Sequence, residues 1–84
     1  MLIADPNLFT WVTTIKFKLA ETGKATLKIY DLQGREITTL INGQRKAGEV
    51  NSVMFDTSKL PAGVYLCHLQ NNNSSATVKL ILLN

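Results

Sequence analysis

Cysteine and histidine are nearly absent from this sequence, with one residue of each among 84. A lone Cys67 cannot form a disulfide within the chain, and it cannot build a metal site that needs several cysteine ligands. Apolar runs are short, and the closing run from Leu80 to Leu83 is far from the roughly 20 residues that a membrane-spanning helix needs. We therefore expect no cofactor, no bound metal and no membrane insertion.

Charge of either sign is sparse and scattered. Nine Lys and Arg residues stand against six Asp and Glu, and only Arg45 and Lys46 are adjacent basic residues. Because nucleic-acid surfaces combine basic patches with aromatic side chains, we expect no nucleic acid as a partner. A chain of this length supports one hydrophobic core. We predict a single domain over 1–84, with 1–12 as an N-terminal edge segment and 13–84 as the core.

The apolar residues that are present alternate with polar ones. In Thr13–Leu19, Ile15 and Phe17 share one face and the lysines between them share the other. The segment Ala25–Tyr30 repeats the pattern around Ile29. A period of two residues is typical of half-buried β-strands.

Turn-forming residues recur between such segments. Further strands are predicted over Arg35–Ile41, Glu49–Phe55, Val64–Gln70 and Ala76–Leu83, with an edge strand over Leu2–Ala4. Asn42-Gly43 is a strong turn signal, so 42–48 is predicted to be an exposed loop. Regularly spaced short strands predict an all-β fold, an immunoglobulin-like antiparallel β-sandwich of six or seven strands. Its core is expected to contain Ile15, Phe17, Ile29, Phe55 and Tyr65.

Residues able to carry chemistry are few and isolated. His68 falls on the strand face opposite Cys67, and the sequence holds no second histidine to complete a metal site. Cys67 is expected to be a small buried apolar residue, without a neighbouring base to activate it. We therefore predict no catalytic residues and no enzyme activity.

Two apolar segments stand out as contact candidates. Phe9 is expected to cap the core, whereas Leu8, Trp11 and Val12 lie in a segment expected near the surface and would form a contact patch. The last strand, Thr77–Leu83, is apolar on both faces. A strand buried on one face should alternate, so its second face is expected to meet a partner or to remain an exposed edge.

Several motifs together resemble a known family. The run Leu27-Lys28-Ile29-Tyr30-Asp31-Leu32-Gln33-Gly34-Arg35-Glu36 and the motif Leu60-Pro61-Ala62-Gly63-Val64-Tyr65 are similar to the C-terminal sorting domains of type IX secretion cargo. The immunoglobulin-like module of the flagellar hook-capping protein shares much of the pattern. The resemblance extends from about Pro6 to Asn84.

The resemblance implies a non-catalytic domain that directs a secreted cargo protein to the type IX secretion machinery. It implies protein partners, and secretion or cell-surface display through the periplasm. The strand that would carry the export information comprises Val78, Lys79, Leu80, Ile81, Leu82 and Leu83. Leu60, Pro61, Gly63 and Tyr65 would be structural: Gly63 for a positive φ, and Tyr65 for a hydroxyl that bonds a backbone acceptor.

Two other functions remain open from the sequence. The chain would serve equally as an accessory immunoglobulin-like module that packs on a neighbouring domain of a secreted enzyme or surface protein. It would also fit an engineered or self-associating version of the domain, a homo-oligomer formed through apolar edge strands. That alternative arises because the family usually begins with a proline-rich stretch, where this chain has Leu8, Trp11 and Val12.

Overall fold

The alternating segments form strands throughout the part of the chain that the structure describes. The computed structural model describes residues 1–83 and has no helix in that range. It contains eight strands: β1 (Leu2–Asp5), β2 (Leu8–Phe9), β3 (Val12–Phe17), β4 (Gly23–Asp31), β5 (Glu36–Arg45), β6 (Asn51–Asp56), β7 (Gly63–Asn71) and β8 (Ser74–Leu82). No helix capable of crossing a membrane is therefore found among these residues.

The strands form two sheets that pack face to face. One sheet has three strands in the order β1-β3-β6, and the other has five in the order β2-β8-β7-β4-β5. The Asp5–Pro6 peptide bond is cis, and the chain passes from the first sheet to the second between β1 and β2. The predicted edge segment thus contributes an outer strand to both sheets.

The core lies between the inner faces of the two sheets. All five side chains expected there are buried: Ile15, Phe17 and Ile29 are 0% exposed, Phe55 is 3% exposed and Tyr65 is 5% exposed. Apolar residues at alternate positions of β3, β4 and β7 supply most of the remainder, because alternate side chains point to the same face of a sheet. The predicted all-β sandwich is confirmed.

Two details of the prediction need correction. The sandwich has eight strands rather than six or seven, because Leu8 and Phe9 form a short strand of their own. That strand is also not antiparallel: Leu8 pairs with Ile81 and Phe9 with Leu82 in parallel register. All other pairings are antiparallel, as predicted.

The loop predicted over 42–48 is wrong for its first half. Asn42 and Gly43 lie inside β5, paired with Thr26 and Ala25, because β4 extends far enough to hold them in register. The register of β5 also skips two residues, Ile37 and Leu40. These bulges explain how two apolar residues three positions apart both pack, half-buried, against the core.

Candidate recognition surface

The inner face of β8 is part of the core. The strand pairs with β7 along its whole length, from Ser74 opposite Asn71 to Leu82 opposite Gly63. Leu80 is 0% exposed and Leu82 is 2% exposed. Of the residues predicted to carry export information, these two are therefore needed for folding, whatever else they do.

The outer face of β8 carries the other residues of the predicted recognition strand. Lys79 and Leu83 are exposed, and Ile81 is half-buried. Ile81 lies in register between Leu8 of β2 and Val64 of β7, and these three residues form what we call the outer apolar stripe. The strand thus presents one basic and two apolar side chains outside the core.

The stripe was not predicted, although each of its members is plain in the sequence. Leu8 was grouped with Trp11 and Val12 because the three are close in the chain. Which residues adjoin Leu8 across strands depends on the parallel pairing of β2 with β8. That pairing leaves no signal in the sequence, because a two-residue strand is too short to show a period.

The three residues of the predicted N-terminal patch are all exposed. Trp11 is 59% exposed, Leu8 is 51% exposed and Val12 is 39% exposed. They are divided between the sheets, because β2 belongs to the five-stranded sheet and β3 to the three-stranded sheet. Trp11 lies in the crossover, where its carbonyl accepts hydrogen bonds from the backbone N–H and the hydroxyl of Thr57.

Phe9 confirms the expectation that it seals the core. It is 4% exposed and its ring centroid lies 6.5 Å from that of Phe55, at an interplanar angle of 60°. Because Phe9 is on β2 and Phe55 on β6, the contact joins the two sheets at one end of the sandwich.

The motif from Leu60 to Tyr65 forms the entry to β7. The Tyr65 hydroxyl donates a 2.6 Å hydrogen bond to the carbonyl of Pro61, as the sequence predicted. Gly63 has a φ of +152°, a backbone conformation that side chains with a Cβ rarely adopt. Leu60 is half-buried against the core, and its N–H donates to the Thr57 carbonyl. The motif has the geometry of a structural brace.

The turn after β4 is organised by one carboxylate. Asp31 accepts hydrogen bonds from the backbone N–H groups of Gln33 and Arg35, both at 2.9 Å, and from Arg35 Nε at 2.7 Å. The Arg35 backbone N–H is the largest of several contacts that lower the pKa of Asp31 below its ordinary value. The sequence showed the turn but not the ion pair.

His68 and Cys67 occupy the positions that alternation predicted. His68 is on the outer face, where its Nδ1 lies 2.9 Å from the Thr77 hydroxyl and its ring packs edge-on to Tyr30 at 6.4 Å. Cys67 is 0% exposed, and burial raises the pKa of its thiol to about 12. Residues 1–83 contain no cluster of three or more side chains suited to metal binding.

Comparison with known proteins gives the function. A family model described as "Secretion system C-terminal sorting domain" matches residues 6–83, nearly the whole chain. A search of curated proteins finds no match. The resemblance that the motifs indicated is therefore confirmed over the same part of the sequence.

Proposed function

We propose that this chain, which belongs to the secretion system C-terminal sorting domain family, presents its export information on the exposed side of β8. Domains of this family direct cargo to the type IX secretion system, a role that is not catalytic. The observation that supports the proposal is the division of β8 between two roles. Leu80 and Leu82 belong to the core, whereas Lys79 and Leu83 are exposed.

The partner in this proposal is a protein of the secretion machinery. The exposed side of β8, together with the outer apolar stripe, offers apolar side chains beside a single lysine. Surfaces with an apolar centre and a polar rim are typical of protein–protein contacts. We infer that the domain takes no cofactor and performs no reaction, and that cargo reaches the exterior or the cell surface through the periplasm.

The direct test is export of a reporter. A reporter with a general secretion leader at its N-terminus and residues 1–84 at its C-terminus is expressed in a type IX-competent cell and in an isogenic strain lacking that machinery. We expect reporter in the medium or on the surface of the competent cell alone. Reporter that remains in the periplasm of both strains would contradict the proposed function.

A second experiment asks whether β8 is the surface that is read. Truncation is unsuitable, because removing the end of β8 also removes Leu80 and Leu82 from the core. Leu83→Ser and Met54→Ser are better matched, because these residues are 57% and 68% exposed on different sheets. Each is expected to change the free energy of unfolding by no more than about 0.5 kcal/mol.

The two variants should differ in export. Leu83→Ser should lower the exported fraction about tenfold, the loss expected for one important apolar contact, and Met54→Ser should leave it unchanged. Equal export of both variants at the wild-type level would contradict recognition through this part of β8.

The exposed N-terminal residues favour a second candidate, an accessory or self-associating module. Trp11 and Leu8 are both more than half exposed, and large exposed apolar side chains often mark contacts with a neighbouring domain or a second copy. Under this proposal Trp11→Ser would lower the molar mass measured by light scattering at high concentration. A wild-type chain that stays monomeric across the concentration range would contradict self-association.

A further inference from the structure

The outer edge of β8 is open along most of its length. Ile81 and Leu83 direct their backbone N–H groups away from β7, since they donate to the carbonyls of Asn7 and Phe9 at 2.8 and 2.9 Å. Backbone direction alternates along a strand, so Thr77 and Lys79 point the same way. Within residues 1–83, β2 pairs only with Ile81 and Leu82, and no other strand pairs with this edge.

The core is also less well covered beside the open edge. Inward-facing positions of β8 change from buried at Leu82 and Leu80 to half-buried at Val78 and exposed at Ala76. At the covered end, Phe9 of β2 supplies the side chain that closes the core. Beyond the open end lies a cavity of about 180 Å³, with Ala76 in its wall. An added strand would cover Val78 as β2 covers Leu82.

The charge along this edge indicates what such a strand should carry. Neither β7 nor β8 contains a carboxylate, and Lys79 is the only charged residue on β8. Opposite charges on neighbouring strands stabilise their pairing, and like charges oppose it. A second copy of this chain, with a net charge of +3 and the same lysine at its edge, is a poor match. A segment with an acidic residue is a better one.

We propose that residues 75–79 of β8 accept an extended segment of a partner protein of the secretion machinery, which adds to the sheet as a further strand. The segment carries an apolar side chain that covers Val78 and a carboxylate beside Lys79. Main-chain hydrogen bonds supply affinity in strand addition, and side chains supply specificity. The inference rests on the proposed function and adds the mode of binding.

The test is a proline at an outward-pointing amide. Thr77→Pro removes one free donor from the edge and leaves the amides that face β7 intact, a position where strands tolerate proline. It also removes the hydroxyl that bonds His68, so His68→Val, which breaks the same contact from β7, is the matched control. Reporter export and the thermal midpoint of the purified domain are measured for both.

We expect Thr77→Pro to keep its thermal midpoint close to that of the wild type and to lower export about tenfold or more, and His68→Val to export normally. Wild-type export by a folded Thr77→Pro domain would overturn the proposal and leave the proposed function standing. Retention of the wild-type reporter itself would instead contradict the proposed function, and strand addition with it.

A charge series does not depend on whether the proline variant folds. Export should fall from the wild type to Lys79→Gln and further to Lys79→Glu, because the reversed charge repels a carboxylate on the partner. Equal export by all three would overturn the proposal. So would a wild-type dimer that Thr77→Pro converts to a monomer, since the edge would then belong to a second copy.

Discussion

Strands β7 and β8 are neighbours of equal length, nine residues each, yet the sheet surrounds them differently. β7 is paired on both sides, to β4 from Asn71 to Tyr65 and to β8 from end to end. β8 is paired along one side with β7 and along the other only where β2 meets Ile81 and Leu82.

Their burial differs in the same way. From Val64 to Asn71, β7 alternates between half-buried and buried at every step, whereas β8 is exposed from Ser74 to Thr77 and alternates only toward its end. The comparison teaches that β7 holds the fold together, while β8 closes the core at one end and leaves backbone and side chains available at the other. Stability and export should therefore respond to different substitutions.

The largest effect on stability should come from the inner face of β7. Leu69 is 5% exposed, and Leu69→Ala should lower the free energy of unfolding by about 2–5 kcal/mol, since it removes buried methyl groups and leaves a cavity. The same change at the exposed Leu83, just beyond β8, should cost no more than about 0.5 kcal/mol. Denaturant unfolding measures both. Similar losses at the two sites would remove the contrast between the strands.

A thiol on the inner face of β7 should be nearly inert. The pKa of Cys67, about 12 against an ordinary 9.0, lowers the thiolate fraction near neutral pH about a thousandfold, and burial also blocks access. Alkylation of the native domain, followed by mass spectrometry, should be slow and should accelerate in denaturant. A Thr77→Cys, Cys67→Ser variant should react at once. Rapid labelling of native Cys67 would show that β7 is not sealed.

The brace at the start of β7 should make a smaller contribution. Tyr65→Phe removes the hydroxyl that donates to Pro61 and should lower the free energy of unfolding by about 0.5–1.5 kcal/mol. Tyr30→Phe is the control, because residues 1–83 provide no hydrogen-bond partner for the Tyr30 hydroxyl. Chemical denaturation of both variants measures the difference. Equal stability of the two variants would deny the Tyr65 hydrogen bond a role.

The smallest effect should appear in acid, at the turn where β4 ends beside β7. Because the pKa of Asp31 is lowered in the folded chain, its carboxylate stabilises the fold above the ordinary value of 3.8, and this contribution is lost as the pH falls below it. Asp31→Asn should therefore be less stable than the wild type near neutral pH, and the gap should close in acid. Unfolding midpoints across the pH range measure it, and a constant gap would contradict the assignment.

The sequence predicts the strands better than it predicts their neighbours. Alternation located β3, β4 and β7 because each buries one face, and the Leu60–Tyr65 motif predicted the hydroxyl contact with a backbone acceptor. The extension of β5 through Asn42 and Gly43 was missed, because local turn preference was outweighed by pairing with β4. The pairing of β2 and the open edge of β8 were beyond reach, since both depend on which strands meet in space.

Hydrogen exchange of the purified chain tests the open edge most directly. Thr77 and Lys79 should exchange their amide protons about a hundredfold faster than Val78 and Leu80, whose amides face β7, and the amides of Tyr65–Leu69 should all be protected. Equal protection of odd and even positions from Thr77 to Leu80 would mean that the edge is already occupied, and it would contradict the account of β8 given above.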